Sequence, residues 1–417
     1  MYESFSIIFA ISALLSFINY KWLKLPSTIG QMILALGVAL LIIGSEPFLP
    51  NVYNYFCGIV QTADFTHVLL DIMLGFLLFA GALHVDISNL KKERWAVLVF
   101  ATIGVLISTF LVGTGLHYIT VFLGCTIPYL HCLLFGALIS PTDPIAVLAL
   151  LKSSKVSKSL QLKIEGESLF NDGIGVIVFT ALLLFTGMDE MIGDGEETHR
   201  VAFQIMELFF EEVIFGLVLG GVLGYLAFRL MKSAEEDHFL SSIISLAIVF
   251  GGYSLAKIFH TSGPLAMVVA GLYIGHKIKS PDFNKKTKET LVGFWHVLDE
   301  SLNGVLFVFI GLAAHLVVLQ SNQILLAFCS IVLVLLARFI SVIVPYSLLK
   351  HTEHSWLNTS YVLTWGGLKG GISLALALSL APELSKDTLL LLTYTIVIFS
   401  IIIQGLTISK LTKRLDS

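Results

Sequence analysis

The chain has 417 residues, of which 56% are apolar and only 13% charged, with a formal net charge of −4 and a mean hydropathy of +0.89. Soluble globular chains carry about 45–50% apolar and about 25% charged residues. The composition therefore excludes a disordered chain and a nucleic-acid-binding protein, and Cys57, Cys125, Cys132 and Cys329 lack the paired spacing of a disulfide scaffold or a zinc site. An all-α polytopic membrane protein remains.

Thirteen apolar runs are long enough to cross ~30 Å of hydrocarbon. They fall at 4–20, 27–44, 68–84, 95–114, 130–150, 165–187, 207–231, 239–257, 263–277, 295–317, 324–349, 357–381 and 388–410. Each is expected to be a helix, because backbone in lipid must satisfy its own hydrogen bonds. The first run has neither a basic leader nor a small-residue cleavage site and is read as a span. The longest connections are 45–67, 188–206 and 278–294.

Basic residues set the expected topology. Twenty of the 25 Lys and Arg lie at the C-terminal tail or around the connections that follow odd-numbered spans; only Arg200, Lys257 and Lys386 lie on the opposite side. The positive-inside rule then puts the N-terminus outside and the C-terminus in the cytoplasm. The chain has no P-loop, so an ATP-driven pump on this chain is not expected, and energy must come from an ion gradient or a partner subunit. It also has no His-Glu-x-x-His, so an intramembrane enzyme is not expected.

Two spans are interrupted. Span 5 contains Ser140-Pro141-Thr142-Asp143-Pro144, where two prolines remove backbone donors and push the preceding residues out of the helical region. Span 12 contains Trp365-Gly366-Gly367-Leu368-Lys369-Gly370-Gly371, whose four glycines weaken that helix. If spans 1–6 and 8–13 are repeats, the breaks occupy equivalent positions and the odd offset inverts one repeat relative to the other. Paired breaks in inverted halves point to a transporter binding site.

Ionisable residues at bilayer depth cost about 2.5–3.5 kcal/mol or more each, so each needs a reason. Asp143 and Lys369 sit at the two breaks, Glu165, Glu167 and Asp172 in span 6, and Arg338 in span 11. Helical spacing puts Glu165, Ser168 and Asp172 on one face of span 6 and Glu167 and Asn171 on another. Asp172 is the candidate carboxylate for a transported ion. A buried carboxylate titrating near the working pH holds either a proton or a hard monovalent cation, and oxygens of Thr142, Asp143 and Ser168 suit that cation. Arg338 is not expected to give up its proton, and Glu167 is its expected structural partner. Lys369 is expected to neutralise carbonyl dipoles where the half-helices of span 12 meet.

Taken together and in order, these residues resemble the monovalent cation:proton antiporters of the NhaP and sodium/proton exchanger branch. The resemblance rests on Ser140-Pro141-Thr142-Asp143-Pro144 and on Glu165-Gly166-Glu167-Ser168-Leu169-Phe170-Asn171-Asp172-Gly173. Further matches are Ser262-Gly263-Pro264-Leu265-Ala266, Ala270-Gly271, Phe294-Trp295 with Asn303, Arg338, the glycine-rich run of span 12, and Gln404-Gly405-Leu406-Thr407. It implies a homodimer of the NhaA/NhaP-like antiporter fold in a bacterial inner membrane, serving pH and sodium homeostasis. The moving core would lie at about 95–187 and 324–410, and the dimerisation scaffold at about 1–85 and 207–317. It further implies that Asp172 binds the ion with Asn171 beside it, that Thr142, Asp143 and Ser168 complete the site, and that Glu167 pairs with Arg338. The Asn-Asp order implies electroneutral exchange of one Na+, or Li+, for one H+, without a resident cofactor. A K+/H+ antiporter of the same architecture is the nearest alternative, and a cation channel or gradient sensor the next.

The chain departs from the family twice. Lys369 stands where arginine is usual, and Leu78-Phe79-Ala80-Gly81 lacks the glutamate that many bacterial members carry in span 3. The role of that missing carboxylate is expected to be lost, or to pass to Asp86 or Glu165. Gly216, Gly220, Gly221 and Gly224 give span 7 a small-residue face for scaffold or dimer packing.

Overall fold

A computed structural model describes residues 2–62, 68–143, 158–189, 195–234, 236–281, 283–316, 323–348 and 356–415. Among the described residues there are helices and no strands. The helices are α1 Tyr2–Ile18, α2 Ser27–Ser45, α3 Pro50–Thr62, α4 Leu74–His84, α5 Ile87–Val99 and α6 Val105–Phe122. They continue with α7 Tyr129–Ile139, α8 Lys158–Asp189, α9 Gly195–Ser233, α10 Leu240–Ile258, α11 Gly263–Lys277 and α12 Lys285–Leu312. The last five are α13 Ile324–Leu348, α14 Trp356–Trp365, α15 Gly371–Ser379, α16 Lys386–Phe399 and α17 Gly405–Leu415. Single π-turns at Phe100–Gly104 and Ser400–Gln404 join α5 to α6 and α16 to α17.

By length and apolarity, nine of the described helical stretches suffice to cross a membrane, with Leu74–His84 and Tyr129–Ile139 as shorter apolar helices. Every one of the thirteen expected spans falls at least partly on helix. Span 12 is split into α14 and α15, and of span 5 only α7 and the unwound 140–143 are described; Pro144 and the rest of that span lie outside the described residues.

The connections are shorter than the sequence suggested. The stretch 45–67 contains α3, α9 reaches back to Gly195 within 188–206, and α12 begins at Lys285 within 278–294. Hydropathy marks where a helix enters lipid, not where it starts. Polar turns extend it into water when a cap is present, and Asn284 caps α12 by accepting from the backbone N–H groups of Lys286 (2.9 Å) and Thr287 (3.3 Å). Asp86 caps α5 through Ser88 N at 2.9 Å, and Ser262 caps α11 through Leu265 N at 3.3 Å with Pro264 in the first turn.

The glycine face of span 7 packs within the chain. A Cβ on Gly220 would strike the Ala266 carbonyl, and one on Gly224 would come within 3.1 Å of Ala270 Cα, so these glycines let α9 lie against α11. Gly221 faces open space.

A second packing centre lies where α4 meets α10 and α12. Trp295 is fully buried there, with its ring 4.6 Å from Phe79 and 5.9 Å from Phe76, centroid to centroid. Its indole N–H donates to Ser245 Oγ at 2.8 Å. Trp295→Ala is expected to cost about 3–5 kcal/mol. Trp295→Phe keeps most of the ring and is expected to lose about 1 kcal/mol with the hydrogen bond. Thermal unfolding in detergent orders the two variants.

Candidate functional site

Helix α7 stops at Ile139, and residues 140–143 run unwound, as do residues 366–370 between α14 and α15. The two unwound segments cross and satisfy one another. The backbone N–H of Asp143 donates to Leu368 O at 2.8 Å. The Lys369 ammonium reaches across to donate to the carbonyls of Ser140 (3.0 Å) and Pro141 (3.2 Å). Lys369 thus caps the break in span 5 and not the break in its own span, where the sequence put it. The crossing decides this, because the free carbonyls of α7 end beside Lys369.

The remaining groups of the second break are met by the π-turn at Ser400–Gln404. Lys369 N–H donates to Ser400 Oγ at 2.9 Å, and Gln404 Nε2 donates to Trp365 O, the last carbonyl of α14, at 3.1 Å. Two glycines in this break serve close approach. A Cβ on Gly370 would lie 2.6 Å from Asp143 Oδ2, and one on Gly367 would lie 2.6 Å from Arg338 Nε.

Helix α8 supplies the rest. Thr142 Oγ1 lies 2.9 Å from Ser168 Oγ, Asn171 Nδ2 donates to Thr142 Oγ1 at 2.8 Å, and Thr142 N–H donates to Asn171 Oδ1 at 3.4 Å. Asn171 is therefore turned to the unwound segment, on the side of Ser168 rather than of Glu167. Glu167, 2% exposed, accepts from Arg338 Nη1 at 2.5 Å, and Arg338 Nη2 donates to Leu363 O at 3.3 Å. Asp172 is 8% exposed and makes no hydrogen bond or ion pair among the described residues.

Asp172, Asp143 and Thr142 line a cavity of about 280 Å³. Glu165 lines it too, and it reaches the surface at His84 and Glu300, both exposed. Asp86, the other expected stand-in for the span-3 glutamate, caps α5 and lines a different pocket. Asp299, Glu300 and Asn303 of α12 complete the opposite wall of the Asp172 cavity. The two acids were missed in the sequence, although both fall inside the apolar run 295–317, where a charge needs a reason as much as in span 6.

The residues that build this arrangement lie within the match to a known family model. That model, described as the transmembrane sodium/hydrogen exchanger, matches residues 7–414. The chain belongs to the sodium/hydrogen exchanger family. It is 40% identical over 411 residues to the Na(+)/H(+) antiporter NhaP of Pseudomonas aeruginosa, covering 97% of this chain and 95% of that protein. It is 31% identical over 401 residues to the Na(+)/H(+) antiporter NhaH of Halobacillus dabanensis, covering 95% and 93%. The fold is that of the sodium proton antiporter MjNhaP1 from Methanocaldococcus jannaschii at pH 8, with a TM-score of 0.69 and 21% identity over 99% of this chain and 97% of that one.

Within this exchanger the buried Glu167–Arg338 pair fastens α8 to α13. Removing one partner strands a buried charge, which costs about 3–5 kcal/mol, whereas replacing both by apolar groups is close to neutral. Arg338→Leu alone is therefore expected to lose folded protein, and Glu167→Leu combined with Arg338→Leu to recover much of it. Fluorescence-detected size exclusion after heating measures both.

Proposed function

We propose that this exchanger carries one Na+ inward or outward against one H+ through Asp172, by alternating access. The observation that carries the reading is a carboxylate without a protein partner among the described residues, on the wall of a cavity that reaches the surface, beside crossed unwound helices. A carboxylate held by an ion pair would be unavailable to cargo. In this reading Asp172 holds either a proton or a sodium ion, and the competition is itself the coupling. Thr142, Ser168 and Asp143 supply oxygens suited to a small hard cation.

Three features favour electroneutral exchange. Asn171, the neighbour of Asp172, is an amide and takes up no proton; its side chain is engaged with Thr142. Arg338 is engaged by Glu167 and Leu363 O. Lys369 is engaged by Ser140 O and Pro141 O. With both cations spent on structure, one carboxylate alternates between two monovalent ions.

The cavity lies between α2, α4 and α12 on one side and α8, α15 and the break after α7 on the other. This boundary coincides with the proposed division into a core at about 95–187 and 324–410 and a scaffold at about 1–85 and 207–317. We take the core to move past a dimeric scaffold in a chain of thirteen spans, N-terminus outside and C-terminus cytoplasmic, in a bacterial inner membrane. His84, Glu165 and Glu300 then lie towards the cytoplasm, and the conformation is open inward.

The test uses inside-out vesicles from antiporter-deficient cells, with a pH-sensitive dye reporting proton efflux after a cation is added. Wild type is expected to respond to Na+ and Li+, and Asp172→Asn to neither while remaining folded. A response to K+ alone would keep the mechanism and change the cargo. Absence of response to any of the three, from folded wild type between about pH 6 and pH 9, sinks the proposal, the carboxylate having to titrate near that range.

A further inference from the structure

We propose that the scaffold wall of the cavity holds a second monovalent-cation site, formed by Asp299, the amide oxygen of Asn303 and the hydroxyl of Thr28. The inference rests on the exchange reading, because it makes this site the place where the cation waits before it reaches Asp172.

The acid is held ready by its own helix. Asn303 stands one turn beyond Asp299 on α12, and its Nδ2 donates both to Asp299 O (2.9 Å) and to Asp299 Oδ1 (3.0 Å). These two acceptors fix which end of the amide carries the nitrogen. Asn303 Oδ1 is left buried with no hydrogen-bond partner among the described residues, on a residue only 2% exposed that lines the cavity. Thr28, 4% exposed and lining the same cavity, has its Oγ1 in the same condition. A buried polar group left unmatched costs about 1–3 kcal/mol, so two beside one carboxylate call for an occupant.

The packing brings these oxygens to one level. Ser27 Oγ donates to Glu300 Oε2 at 3.0 Å, and one turn further along both helices the side chain of Gln31 lies against Gly304. Helices α2 and α12 therefore run parallel in a fixed register. Thr28 falls between those two contacts, beside the turn from Asp299 to Asn303.

The donor set selects the ligand. A carboxylate, an amide oxygen and a hydroxyl are hard oxygen donors, without the nitrogen or sulfur that transition metals prefer. An orphaned carbonyl oxygen gains nothing from an anion. A dehydrated monovalent cation is smaller than a water molecule and fits between oxygens that water does not reach.

Purified proteins in detergent are assayed for equilibrium 22Na+ binding, with size exclusion as the check on folding. Asp172→Asn is expected to keep a sodium-binding component. Adding Asp299→Asn, whose side-chain oxygen still accepts from Asn303, is expected to weaken that component about tenfold or more. Thr28→Val on the Asp172→Asn background removes one oxygen at constant shape and is expected to weaken it in the same direction. In inside-out vesicles Asp299→Asn alone is expected to raise the KM for Na+ several-fold. Sodium binding that vanishes wholly with Asp172→Asn, from a wild type that binds, overturns the second site and leaves the exchange reading standing. Residual binding that survives both Asp299→Asn and Thr28→Val also overturns it. A folded wild type that binds no sodium and exchanges none overturns both readings.

Discussion

Backbone that leaves the helix inside a membrane must find hydrogen bonds from protein, and the arrangement of this exchanger follows from how it does so. The two breaks are set against each other. Asp143 N–H meets Leu368 O, and Lys369 meets the carbonyls of Ser140 and Pro141. Unwinding one span alone would leave polar groups in an apolar medium. Unwinding two that cross lets each repair the other, and the repair creates a polar spot at the centre of the molecule where a carboxylate and a cation are tolerated.

The charges around that spot divide by what they touch. Arg338 and Lys369 are committed to structure, the first to Glu167 and Leu363 O, the second to the crossing. Glycines at 367 and 370 let Arg338 and Asp143 come against the unwound chain without a clash. Asp172 is the carboxylate on α8 that no described group claims. The committed pairs hold α8, α13 and the two breaks together, and Asp172 stands apart from them, which is what the proposed exchange requires. The cavity wall across from Asp172 follows another logic, in which Asp299 is held by Asn303 and two oxygens have no donor among the described residues.

Much of this was legible in the residues. The thirteen apolar runs, the proline and glycine breaks, and the choice of Asp172 over Glu167 as the available acid all follow from local chemistry: hydrophobic length, the missing proline N–H, and the rule that an arginine in lipid needs a carboxylate. Less legible were features that depend on which helices are neighbours. Helical spacing grouped Asn171 with Glu167, yet Thr142 draws its amide to the other side, because a side chain follows a strong partner within its reach. Asp299 and Glu300 escaped notice because they stand near the start of the apolar run 295–317, beside a polar stretch that reads as a loop, and only the whole helix shows that they line the cavity.

The sequence by itself determined the class of molecule, its long apolar helices and the two interruptions, since each is encoded within one stretch of chain. Only the tertiary structure decided that Lys369 caps the opposite break, that the glycine face of span 7 packs on α11, and that Asp86 lies away from the cavity while Asp299 lies on it. The physical reason is that a long side chain or a close-packed face takes its partner from whichever helix lies against it. Residues hundreds of positions apart become neighbours through packing, and no local pattern records that choice.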